Sequence, residues 1–252
     1  MIAKTLNRFG RAARRYLLTG RFRSAPGPII ERFFGGRDCF FVQVGSNDGV
    51  RGDPLHKAIK ANPNWRGLFV EPLDEAFELL VRNYAQDGRF AFEHVAISDS
   101  CGEQWLYYVG LQTIRELQLP VFPGAGLHGV ASLNREHVLK NVIGLKYAGV
   151  TLEKDPGSYI SKKLVRCETL ASVLQQNRVD RIDVFHVDAE SYDNRIIRQI
   201  DFERFSPTLI LYEAPGGRDD AAAPFLLSKG YSLIHCGDML AVRRIRPKAP
   251  CL

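Results

Sequence analysis

The feature that most restricts the fold is a succession of short segments that are apolar throughout rather than alternating, each leading into a stretch with helical spacing. Cys39-Phe-Phe-Val-Gln-Val-Gly45 reads as a buried strand running into a glycine turn, and a helix containing Leu55 and Ile59 follows it. Residues 66 to 71, Arg-Gly-Leu-Phe-Val-Glu, form a second strand. Asp74 stands where an N-cap belongs for a helix through Phe77, Leu80, Val81 and Tyr84. The Asp87-Gly88 turn then leads into a third strand, Phe90 to Ile97. Strands of this kind in βαβαβ order require a parallel sheet covered by helices on both faces.

The alternation stops for about seventy residues and resumes with a helix near Glu168 to Leu174. Strands follow at Ile182 to Val187 and Thr208 to Tyr212, with a helix from Asp193 to Ile200 between them. A helix around Ala222 to Leu227 precedes Tyr231 to His235, a Gly237-Asp238 turn, and Met239 to Arg243. Two strands joined by so short a turn are antiparallel. The expectation is therefore one α/β domain over residues 31–252, Rossmann-like, with a mostly parallel sheet closed by a C-terminal antiparallel hairpin. An insertion at about 99–163 is expected to cover the crevice and select a substrate.

Five segments carry candidate chemistry. In Val42-Gln43-Val44-Gly45-Ser46-Asn47-Asp48-Gly49, the glycine and the Asn-Asp-Gly run tolerate positive φ and form a tight loop of exposed amides, without the full GxGxxG spacing of a pyrophosphate site. Glu71, at the end of strand two, is placed to accept both hydroxyls of a ribose lying across the sheet. Ala96 and Ile97, with Ser98 and Asp99 beyond them, suit a wall for adenine. Strand four ends in His186-Val-Asp188-Ala-Glu190-Ser-Tyr192-Asp193, and alternation would put His186 and Asp188 on one face. Glu213 adds a carboxylate after strand five. Three acidic strand ends converging on one rim point to a site.

In order and spacing, Val42 to Gly49, Leu68-Phe-Val-Glu-Pro72, His94-Val-Ala-Ile-Ser98, Leu164 to Leu170 and Ile182 to Asp193 resemble the successive blocks of FkbM-type methyltransferases, over roughly residues 38 to 245. The Asp-Ala-Glu-Ser-Tyr-Asp block is similar to that family's Asp-x-Glu-Gly-Tyr/Phe-Asp/Glu. Gln43 stands where the family usually has an acidic residue, and Ser191 replaces its usual glycine. The resemblance implies a class I methyltransferase fold and methyl transfer from S-adenosylmethionine to a hydroxyl, often of a sugar or natural product. It implies that Gln43, Gly45, Ser46, Asn47, Asp48, Glu71, Ala96, Ile97 and Asp188 hold the cofactor, Gln43 through its carbonyl on the ammonium.

An unactivated hydroxyl needs a base within hydrogen-bond reach. Asp188 is the first candidate, with His186 and Glu213 behind it. A magnesium ion bridging Asp188 and Glu213 is an alternative means of acidifying a sugar hydroxyl. Within the insertion, Trp105, Tyr107 and Tyr108 offer faces for a carbohydrate, His128 and His137 are further bases, and Gly124, Gly126 and Gly129 allow closure. A nicotinamide-dependent oxidoreductase and a non-catalytic nucleoside-binding scaffold remain the alternatives, the first disfavoured by the incomplete glycine motif and the terminal hairpin.

Charge is uneven. Residues 1 to 30 carry Lys4, Arg8, Arg11, Arg14, Arg15, Arg21 and Arg23 and no acid, which accounts for the whole surplus of +6. Leu6, Phe9, Ala13, Tyr16 and Leu17 recur at helical spacing, so this arm is expected to be an amphipathic basic helix that meets an anionic membrane surface or a partner subunit, a second copy included. No nucleic-acid partner is expected. The cysteines are five, widely spaced and without a CxxC pair, which fits buried thiols in a reducing compartment. With neither a signal-peptide core nor an apolar run of membrane-spanning length, the protein is expected to be cytoplasmic, with membrane association through the arm.

Overall fold

The computed structural model describes residues 26–121, 126–213, 220–236 and 238–243. Its main sheet contains β1 (Cys39–Val44), β2 (Trp65–Val70), β3 (Phe90–Glu93), β7 (Val184–Val187), β8 (Leu209–Tyr212), β9 (Tyr231–Cys236) and β10 (Asp238–Arg243) in the order β3-β2-β1-β7-β8-β10-β9. The pairs from β3 through β8 are parallel, and β10 runs antiparallel to both β8 and β9. This is the mostly parallel sheet with a terminal hairpin, in the strand order of class I methyltransferases. The sheet reverses direction of growth at β1, so the ends of β1, β2 and β7 open a crevice where open α/β sheets bind ligands.

Apolar residues on both sides of each strand explain the parallel pairing. Val42, Val44, Leu68, Val70, Phe185 and Val187 feed one core, against α6 (Leu170–Gln176) and α7 (Asp193–Arg198). Phe41, Phe69, Val184 and Leu211 feed the other, against α1 (Pro26–Phe34), α2 (His56–Ala61) and α3 (Asp74–Tyr84). The boundary expected at residue 30 falls inside α1, where Ile29, Ile30, Phe33 and Phe34 are already buried in this second core. The basic helix expected further upstream lies outside the described residues.

Two local expectations are corrected. Asp74 does not cap α3. Leu73 occupies the N-cap without a side-chain bond, and Asp74 is the first helical residue, where its charge faces the positive helix end and pairs with His94. The third strand is also not continuous. Beyond Glu93, whose carbonyl accepts from the Glu71 amide at 3.0 Å, the ladder stops, because the next amide in register, that of Leu73, donates to the Glu71 carboxylate at 2.8 Å instead. His94 stacks on Phe77 at 4.4 Å, and Ala96–Ile97 (β4) instead joins a second, three-stranded sheet, β4-β6-β5, with β5 (Gly102–Tyr108) and β6 (Ser161–Glu168).

Between β5 and β6 the insertion folds as α4 (Leu111–Glu116), α5 (Arg135–Gly144) and short 3-10 turns over its own core of Val109, Ile114, Val138, Val142 and Tyr159. Asn134 caps α5, accepting from the Glu136 amide. Cys39, Cys167 and Cys236 are buried thiols and Cys101 is exposed. Among the described residues no helix is long and apolar enough to cross a membrane.

The tightest point of the sheet is the exit of β1. Gly45 has φ +74, and a Cβ there would lie 1.8 Å from the main-chain oxygen of Asp188. Gly45→Ala is therefore expected to cost about 3 kcal/mol or more, from a left-handed residue plus a backbone clash that no side chain can relieve. Urea denaturation measures this, and a loss below about 1 kcal/mol would show that the two strand ends are free to part.

Candidate active site

The loop after β1 is stitched to β2 by its own polar groups. The amides of Gly45 and Ser46 donate to the Val70 carbonyl at 2.9 and 3.1 Å, and the Ser46 hydroxyl donates to the Gln43 carbonyl at 3.0 Å. Asp48 accepts from the amides of Val50 and Arg51, each at 2.8 Å, and the Tyr84 hydroxyl donates to the Gly49 carbonyl at 2.7 Å. Ser46 and Asp48 are buried in these bonds. These bonds shape the loop. Asn47, at φ 52, is the residue turned outward.

Glu71 supports that turn from the end of β2. Its two carboxylate oxygens accept from the amides of Asn47 and Leu73, each at 2.8 Å. Burial pushes its pKa up to about 7, against the lowering effect of those two amides. Each oxygen keeps a further lone pair, so the ribose role expected of Glu71 and its structural role are compatible.

A cleft of about 540 Å³, counted with the open solvent inside it, runs from this point across the sheet end. Gly45, Asn47 and Glu71 line one side, Leu73, Val95, Ala96 and Ile97 form an apolar wall, and Asp188, Ala189, Glu190 and Tyr192 come from the β7 exit. Leu106, Gly129, Ala131, Ser132 and Leu133 of the insertion complete it. Of the expected residues, Gly45, Asn47, Glu71, Ala96, Ile97 and Asp188 are thus brought together at one cleft. Glu190, Tyr192 and Ser132 join them. For Ser132 the available signal was the Ser-x-Asn run before α5, which reads as a helix start rather than as a cleft wall.

Gln43, Ser46, Asp48, His186 and Glu213 do not line the cleft. Gln43 faces the other side of the sheet, where its Nε2 donates to Asp53 at 3.1 Å, and burial raises Asp53 to about 6. His186 pairs in register with Gln43 and shares the face of Val184. It is 5% exposed, its Nδ1 finds no hydrogen-bond partner among the described residues, and burial lowers its pKa to about 4. Asp188, one residue past the strand end at Val187, lines the cleft, whereas His186 does not. In the insertion, Trp105 turns outward beneath Lys162, Tyr107 pairs through its backbone with Ser132, and the Tyr108 ring meets His128 edge-on. Trp105, Tyr107, Tyr108 and His128 do not line the cleft. Gly124 lies outside the described residues.

The β7 exit is acidic and strained. Glu190 and Ser191 sit at φ 48 and 83, so Ser191 adopts the conformation that a glycine would take freely. Asp188 retains solvent exposure, yet enclosure by the surrounding protein and then the charges of Glu190, Asp193, Glu213 and Asp238 hold its carboxyl well above the usual range. Burial likewise raises Asp193 to about 7, and its Oδ1 accepts from the Glu213 amide at 3.4 Å. Burial, followed by the charge of Glu190, raises Glu213. His137 of α5 lies beside this group, its Nε2 2.7 Å from Glu190 Oε2, a hydrogen bond that raises the imidazole. Among the described residues no group of three or more His, Cys, Asp or Glu is placed to hold a metal ion. The expected magnesium pairing of Asp188 with Glu213 has no support in this geometry.

These carboxyls tie stability to pH. Glu71 and Asp193 hold their protons to about pH 7 when folded, whereas unfolded carboxyls release them near pH 4. The folded chain binds more protons in that window, so stability is highest at its acid end and falls as pH rises through about 7. For Glu71 the shift corresponds to about 3 kcal/mol. Melting temperatures of the ligand-free protein are expected to fall between pH 5 and pH 8, and Glu71→Gln to make that fall shallower. An unchanged slope in the variant would mean that Glu71 titrates normally.

Comparison with known proteins places this site in context. Residues 43–233 match the family model described as the methyltransferase FkbM domain. Among solved structures, the chain aligns with precorrin-6y C5,15-methyltransferase from Geobacter metallireducens GS-15 at 11% identity and TM-score 0.38, over 78% of this chain but only 65% of that one. It aligns with a fibrillarin/Nop5p complex at 12% identity and TM-score 0.36, covering 87% and 80%. A TehB-like SAM-dependent methyltransferase from Corynebacterium glutamicum gives 9% identity and TM-score 0.35, covering 95% and 97%. A search of curated proteins finds no match. With the family match spanning most of the chain, from the β1 exit to the terminal hairpin, the protein belongs to the FkbM methyltransferase-domain family.

Proposed function

We propose that this protein transfers the methyl group of S-adenosylmethionine to a hydroxyl of a sugar, glycan or related natural product. The observation that carries the reading is the convergence on one cleft of Glu71 with Asn47, the Val95-Ala96-Ile97 wall, and Asp188. These residues fit the cofactor. Glu71 has lone pairs left for ribose hydroxyls, and the apolar wall suits a base. When bound, the cofactor supplies an electrophilic methyl on a positively charged sulfur.

Asp188 is the residue to take the proton from the acceptor hydroxyl. A carboxylate whose neighbours raise its proton affinity is a stronger base than a free aspartate. The cleft also constrains the acceptor. Among the described residues three carboxylates line it and no Lys or Arg does, which favours an uncharged or amine-bearing polyol over a phosphorylated one and disfavours a nucleic acid. Equilibrium binding of S-adenosylhomocysteine against NAD separates this reading from a nicotinamide enzyme.

Transfer of labelled methyl to a panel of methyl glycosides, glycolipids and small alcohols tests the reading directly. Asp188→Asn is expected to lower turnover by roughly 100-fold or more while changing S-adenosylhomocysteine affinity far less. Near-normal turnover would move the base to another carboxylate of the rim. Glu71→Ala is expected to weaken S-adenosylhomocysteine binding by on the order of 2 to 3 kcal/mol by calorimetry. Unchanged affinity would remove Glu71 from the cofactor site.

A further inference from the structure

The insertion grips the β7 exit loop at three points. Ser132 Oγ donates to the Glu190 carbonyl at 2.7 Å, Asn134 Nδ2 donates to Ser191 Oγ at 3.4 Å, and His137 Nε2 lies 2.7 Å from Glu190 Oε2. The last is a pairing of ionisable side chains, each about one-fifth exposed, and is the strongest of the three. His137 is itself held. Asn134 caps the helix that carries it, and Asn141, one turn on, donates to its main-chain oxygen at 3.1 Å.

The gripped loop needs such a hold. Two consecutive non-glycine residues, Glu190 and Ser191, are in the left-handed region, each at a cost of roughly 1 kcal/mol or more. Asp188 and Glu190 both line the cleft, two positions apart. The direction of the Glu190 carboxylate therefore decides whether a second negative charge stands beside Asp188. In the structure that carboxylate is drawn to the insertion.

We propose that His137 is a positioning residue for methyl transfer: by holding Glu190 against the insertion it fixes the left-handed turn that presents Asp188, so that proton acceptance depends on a docked insertion. This rests on the assignment of Asp188 as the base. An acceptor seated against the insertion then meets a loop already set for reaction, and an insertion that has swung away leaves a loop whose base is not aimed.

The test combines amide hydrogen exchange with kinetics on the full chain. His137→Ala is expected to speed exchange across residues 188–193 by about tenfold or more, including the Tyr192 amide that now donates to the Ala189 carbonyl at 3.1 Å. In the same variant kcat should fall by about tenfold or more on whichever methyl glycoside the wild type methylates, with S-adenosylhomocysteine affinity within about threefold. His137→Gln, which keeps a donor for Glu190, should recover most of both effects. Unchanged exchange in His137→Ala would overturn the proposal, and so would a loss of S-adenosylhomocysteine affinity as large as the loss of kcat. If the wild type methylates nothing in the panel, the functional reading falls, while the exchange result still decides whether His137 sets the loop.

Discussion

Everything at the cleft depends on how closely the ends of β1 and β7 approach. The Asp188 amide donates to the Val44 carbonyl at 2.9 Å, and the Asp188 carbonyl then passes so near Gly45 that no side chain fits there. A glycine at this point of an α/β sheet is usually credited to a ligand that must come close to the backbone. Here the protein's own neighbouring strand already imposes it. The same contact sets the starting direction of the acidic loop, so the two sides of the cleft share one backbone junction.

Around that junction the protein gathers groups that repel one another. Asp188, Glu190, Asp193, Glu213 and Asp238 come from the β7 exit, the first turn of α7, the β8 exit and the start of β10, with His137 beside Glu190 and His235 beside Asp238. Such a rim costs stability in the empty protein and gains from any cation that enters, which is how a binding site is built at the expense of the fold. A positively charged methyl donor matches that imbalance. The carboxyls raised by burial, Glu71 among them, belong to the same arrangement.

Much of the fold was legible because strands buried on both faces leave a continuous apolar signal. Cys39–Val44, Trp65–Val70 and the terminal hairpin appear within a residue or two of their expected ends. The convergence of acidic strand ends points to the cleft that Glu71 and Asp188 line, although Glu213, the third of them, does not line it. What could not be read depended on contacts between distant segments. The break after Glu93 follows from the Leu73 amide, some twenty positions earlier in sequence, turning to the Glu71 carboxylate instead of the neighbouring strand. His186 lies two positions before the residue that reaches the cleft and is buried short of it. Trp105 reads as a sugar platform, yet its strand turns Leu106 to the cleft and Trp105 to solvent. The hold of His137 on Glu190 joins residues 53 positions apart, and neither residue announces the other.

The short strand Ala96–Ile97 is hydrogen-bonded to β6 and, through it, to β5, not to the main sheet. The wall on which the cofactor's base would rest and the scaffold of the insertion are therefore one body. Ordering either end of that body spends entropy that the other end no longer has to spend, so the two ligands of the reaction would bind with positive cooperativity even without touching. Thermodynamic reciprocity makes the effect mutual: an acceptor that steadies the insertion tightens the donor by the same factor as the donor tightens the acceptor.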